Sequence, residues 1–137
     1  MPHLEPSQLY LPKQQADAVL AQATPVQNTW YTVLDTTINC RVIIISTRIV
    51  TTAETLEIRL TLDGEVYIGS IAATADQPYF PAFYGYSVTG SLLLLTTIDS
   101  SIYRSFLCEA RSVKVEVRKT TATGTGTLCG KVIYAKY

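Results

Sequence analysis

Histidine is nearly absent from this chain; the single one is His3. A Ser-His-Asp or Cys-His arrangement would have to draw on it, in a proline-broken stretch at one end, which argues against nucleophilic catalysis of either kind. Charge is scarce too. Charged residues make up 16% of the chain, and 11 Lys and Arg balance 11 Asp and Glu. No stretch carries the basic excess that a phosphate backbone attracts, so nucleic acid is not an expected partner. A surface with so little self-repulsion favours association, which points to a homo-oligomer. Gly124-Thr125-Gly126 lacks the further glycine and the strand-to-helix setting of a phosphate loop.

Other absences narrow the field further. The longest apolar runs, Val42 to Ile45 and Leu92 to Leu95, fall far short of the ~20 residues that span a bilayer. Met1 to Pro6 offers neither a basic nor an apolar leader region, so synthesis in the cytoplasm without a signal peptide is expected. The three cysteines, Cys40, Cys108 and Cys129, match no metal framework. They read as buried thiols acting as small apolar residues, with one bridge and a leftover thiol as the alternative. Asp63, Glu65, Asp76 and Asp99 are scattered among turns and do not converge as calcium ligands. Glu57 and Glu116 alternate with apolar residues and read as solvated outer-face positions. No metal, no cofactor and no enzymatic activity are expected.

What the chain does contain is β-sheet language. Thr, Val, Ile and Tyr are abundant, and such side chains suit a pleated, half-buried surface. Trp30 to Asp35 reads as a strand, and Arg41 to Val50 as a longer one. Leu56, Ile58, Leu60 and Leu62 alternate with Glu57, Arg59 and Thr61, the pattern of a strand with one wet face. Asp63-Gly64 then supplies a tight hairpin turn, and Glu65 to Ile71 returns. Further strands read over Ser91 to Ile98, Ile102 to Glu109, Val113 to Val117 and Leu128 to Tyr137. About eight short strands separated by turns predict an all-β, antiparallel β-sandwich, jelly-roll-like in strand number.

Residues 1–28 differ from the rest. Pro2, Pro6, Pro12 and Pro25 break them up, and they read as an arm on a β-sandwich domain covering residues 29–137. Lys13 to Ala23 is rich in helix formers, with Ala16, Val19, Leu20 and Ala23 on one stripe, so a short helix is expected within the arm. Leu4, Leu9, Tyr10, Leu11, Val19 and Leu20 are its candidate anchors. An apolar arm of this kind finds shelter on its own domain or on a neighbour.

Tyr79, Phe80, Phe83, Tyr84 and Tyr86 place five rings in eight residues around Pro81 and Gly85. Three readings stay open: a plug at the end of the domain, a subunit contact, or a platform on which a glycan stacks.

Thr24-Pro25-Val26-Gln27-Asn28-Thr29-Trp30-Tyr31-Thr32-Val33-Leu34-Asp35-Thr36-Thr37, continuing into Asn39 to Ile45, resembles the opening of small β-sandwich structural proteins of tailed viruses of bacteria and archaea. The run Glu54 to Gly64 resembles their hairpin. The likeness covers residues 24–71, about a third of the chain. It implies a non-enzymatic virion protein, a capsid decoration or accessory subunit that meets a major capsid protein and forms homo-oligomers; on the charge and apolar-run grounds above, neither membrane nor nucleic acid is expected as a partner. The alternatives are a carbohydrate- or receptor-binding module of a tail or fibre, and an extracellular subunit that polymerises with itself.

Overall fold

The computed structural model describes residues 14–51, 53–86, 93–98, 108–121 and 126–136. These form ten strands: β1 (Gln14–Ala23), β2 (Tyr31–Thr36), β3 (Cys40–Val50), β4 (Glu54–Leu62), β5 (Glu65–Ala73), β6 (Phe80–Tyr86), β7 (Leu93–Ile98), β8 (Cys108–Ala110), β9 (Val113–Lys119) and β10 (Thr127–Lys136). One sheet has the order β1-β10-β3-β8 and a second the order β2-β9-β4-β5, with β6 and β7 as a separate pair. Every pairing is antiparallel. The all-β, antiparallel expectation therefore holds.

The two four-stranded sheets share one core. Leu56, Ile58, Leu60, Val113, Val115 and Val117 from the second sheet cluster with Val42, Ile45, Ile49, Leu128 and Val132 from the first. Strict alternation along β4 and β9 brings this about, since each second side chain points inward. Within these two sheets, two strands break the alternation. In β2, Thr32 pairs with Glu116 and Leu34 with Val115, leaving Val33 as an extra residue. In β3 the register likewise skips Ile43. Such bulges turn neighbouring side chains to the same face, and Val33 and Leu34 are both buried.

At Gly130 the second sheet packs against bare backbone. A Cβ added there would lie 2.5 Å from Cγ2 of Val33. The bulged valine of one sheet thus occupies the space that a side chain on β10 would need. The glycine is required for that approach, not for a turn.

The expected hairpin is present. Asp63 and Gly64 have φ of 49° and 88°, both in the left-handed region that an Asp-Gly turn tolerates. Asp63 Oδ1 also accepts hydrogen bonds from the backbone N–H groups of Arg111 (2.8 Å) and Ser112 (2.9 Å), which ties the turn to the entry of β9.

One expectation is corrected. Residues 14–23 form strand β1, not a helix. β1 pairs with β10 through ten positions, from Gln14 opposite Lys136 to Ala23 opposite Thr127. Alternation explains the outcome: Ala16, Ala18 and Leu20 are half-buried on one face, while Gln15, Asp17, Val19 and Ala21 are exposed on the other. An isolated helix of this length is marginal in water. The strand instead satisfies the whole backbone edge of β10, and that non-local gain outweighs local propensity.

Candidate interaction surface

Neither outer face of the two sheets is built like the other. On the second sheet, Arg59 stands opposite Glu116, and Glu57 opposite Arg118. Arg59 Nε and Nη2 donate to Glu116 Oε1 and Oε2 at 2.9 and 2.7 Å, a bidentate pair. Arg118 Nε donates to Glu57 Oε1 at 2.7 Å. Trp30, just before β2, has both guanidinium carbons 4.3 Å from its ring centroid. The hydrogen bonding of Arg59 to the Glu116 carboxylate is the main reason that its guanidinium is held above its ordinary pKa. These charges are largely consumed by one another. The expectation of solvated carboxylates fails for Glu116, which is buried under its partners.

Another ion pair lies inside. Lys119 Nζ sits 3.2 Å from Glu54 Oε1, and both side chains are almost wholly buried. Both residues occupy inward positions at the ends of β9 and β4, so strand parity forces the charges into the core.

The outer face of the first sheet is charged too; Arg41 Nη2 meets Glu109 Oε1 there at 2.6 Å. Its rows run Val19-Lys131-Ser46, Ala21-Cys129-Arg48 and Ala23-Thr127-Val50 across β1, β10 and β3. Lys131 Nζ is 3.8 Å from Asp17 Oδ2, a loose surface pair. A shallow depression of about 330 Å³ opens here, bordered by Val19, Ala21, Arg48, Pro78, Cys129 and Lys131. Val19 is 69% exposed, an apolar side chain left in water beside that depression. Cys129 is a half-buried thiol, and Cys40 a buried one.

The residues singled out from sequence fall in different places. Val19 and Leu20 were expected on one stripe, but the strand puts them on opposite faces. Leu20 packs against the core and Val19 faces out. Leu4, Leu9, Tyr10 and Leu11 lie outside the described residues. In the aromatic segment, Tyr79 is 4% exposed. Its backbone bridges to Thr47 by two hydrogen bonds, and its hydroxyl accepts from the Thr74 N–H at 2.7 Å. That ring lies in the core cluster. Phe80 is half-buried. Phe83 and Tyr84 are on β6 opposite Leu95 and Leu94, and Tyr86 opposite Leu93; their rings lie outside the described residues. The Trp30 cluster was not anticipated. Arg59 and Arg118 alternate correctly for an outer face, but only the cross-strand register reveals their partners.

A scan of family models finds no match to the chain, and a search of curated proteins finds none either. Among solved structures, a chain of the infectious bursal disease virus Gx strain is similar over 90% of this chain, at 11% identity and a TM-score of 0.34. The protein spans about a third of that chain's length, 32%.

Proposed function

We propose that the protein is a non-enzymatic structural subunit of a virus particle, a jelly-roll β-sandwich that decorates or accompanies a capsid. The observation that carries this reading is the strand order. The chain alternates between the two sheets from β1 to β4, and again from β9 to β10. This interleaving supports the jelly-roll reading, an architecture used by viral capsid and lectin domains. The resemblance of residues 24–71 to small virion proteins supports the same assignment. Its partners are then other copies of itself and a major capsid protein, met through residues 1–13 and the outer face of the first sheet. It works in the virion, without cofactor, membrane or nucleic acid. Mass spectrometry and immunogold labelling of purified particles test this. The protein should be found on the particle surface; its restriction to the soluble fraction of infected cells would refute the assignment.

A glycan-binding module is the second reading, because lectins share the architecture. Tyr79 is spent inside, which leaves Phe80, Phe83, Tyr84 and Tyr86 as the candidate platform. Glycan-array binding that disappears in Tyr84→Ala supports it. The third reading, a filament-forming extracellular subunit, requires polymers of the purified protein alone.

A further inference from the structure

A sheet edge is a template for another strand, and proteins protect such edges with bulges, prolines, charges, shortness or a covering segment. Here the two four-stranded sheets present four edges, formed by β1, β8, β2 and β5. β8 is only three residues long. β2 carries the Val33 bulge. β7 lies alongside β5. β1 differs from all three. It is ten residues long, it contains no proline and a single charge, Asp17, and its register with β10 is unbroken. Among the described residues no strand pairs with its outer side.

We propose that the outer edge of β1 pairs with β1 of a second copy, antiparallel across a twofold axis, to make one continuous sheet. This deepens the structural-subunit reading and rests on it. Facing must be preserved, so the exposed residues Gln15, Asp17, Val19, Ala21 and Ala23 pair among themselves. A register centred on Asp17 sets two carboxylates directly opposite, which is repulsive. A register centred on Val19 sets Val19 against its own copy, Asp17 against Ala21 and Gln15 against Ala23. It uses nearly the full strand and covers the side chain left 69% exposed. An isologous contact of this kind closes as a dimer.

The strand's own sequence favours a second copy over an unrelated strand: in the Val19-centred register its one charge, Asp17, faces Ala21, and the exposed Val19 meets its own image.

Sedimentation velocity and cysteine cross-linking test the pairing. The full-length protein should sediment as a dimer, and Val19→Lys should sediment as a monomer with an unchanged thermal unfolding midpoint. In a chain carrying Cys108→Ser and Cys129→Ser, Val19→Cys should give a disulfide-linked dimer under mild oxidation, because directly opposed strand residues are within disulfide reach. Thr55→Cys, on the outer face of the other sheet, should not. A monomeric wild type, a Val19→Lys dimer, or equal cross-linking at both cysteines overturns the pairing. Failure here is separable from failure of the virion assignment, since a monomer found on purified particles refutes the first and leaves the second.

Discussion

Gly130 is a constrained residue, and its constraint comes from the other sheet. Adding a methyl group there forces Val33 or the backbone to move. Gly130→Ala should therefore destabilise by about 1–3 kcal/mol, the range for overpacking a filled core. Urea unfolding of a double-mutant cycle checks the cause. Val33→Ala removes the colliding methyl groups, so it should cost less in the Gly130→Ala background than alone. Additive effects would mean that the two residues do not compete for space. The buried pair Glu54–Lys119 poses the opposite problem, because its charges are paired but dearly desolvated. Lys119→Met leaves a buried carboxylate without its cation and should cost about 3–5 kcal/mol, while Glu54→Leu with Lys119→Met should recover most of that loss. A double variant no more stable than the single would show that the pair contributes more than its desolvation costs.

At the scale of elements, the β4–β5 hairpin was fully legible. Leu56, Ile58, Leu60 and Leu62 alternate, Asp63-Gly64 fixes the turn, and the observed burial follows residue by residue. What sequence could not show is that Asp63 also holds the β8–β9 connection through two backbone N–H groups. Asp63→Asn keeps one acceptor and tolerance of positive φ; Asp63→Ala keeps neither. Chemical denaturation should therefore find Asp63→Ala about 1–3 kcal/mol less stable, with Asp63→Asn losing under half as much. Equal losses would show that the charge, not the geometry, matters. β1 was misread for a reason that pattern alone cannot remove. Its Ala, Gln and Leu are good helix formers, and Ala16, Val19, Leu20 and Ala23 satisfy helical spacing. The same stretch also satisfies alternation, with Ala16, Ala18 and Leu20 on one face, and what decides between the two patterns is a vacant edge on β10, more than a hundred residues away in the chain. The Trp30 cluster was hidden likewise, since Glu57 meets Arg118 and Glu116 meets Arg59 only through register.

At the scale of the molecule, these placements move the boundary between arm and domain. β1 supplies Ala18 and Leu20 to the core and covers β10 along its whole length. The connector after it, with Thr24 and Asn28 both at positive φ, is fastened by the Asn28 N–H donating to the Lys119 carbonyl at 2.8 Å. Residues 14–28 therefore belong to the fold, and only residues 1–13 are candidates for a separable arm. Two truncations should behave differently. Removal of residues 1–13 should leave the thermal unfolding midpoint nearly unchanged while weakening self-association, because Leu4, Leu9, Tyr10 and Leu11 go with it. Removal of residues 1–28 should strip a strand from the first sheet and expose the edge of β10, giving a protein that aggregates or unfolds at much lower temperature. Calorimetry and light scattering of the two separate these effects. A stable, soluble domain lacking residues 1–28 would return β1 to the arm, and would mean that its pairing with β10 contributes little to holding the two sheets together.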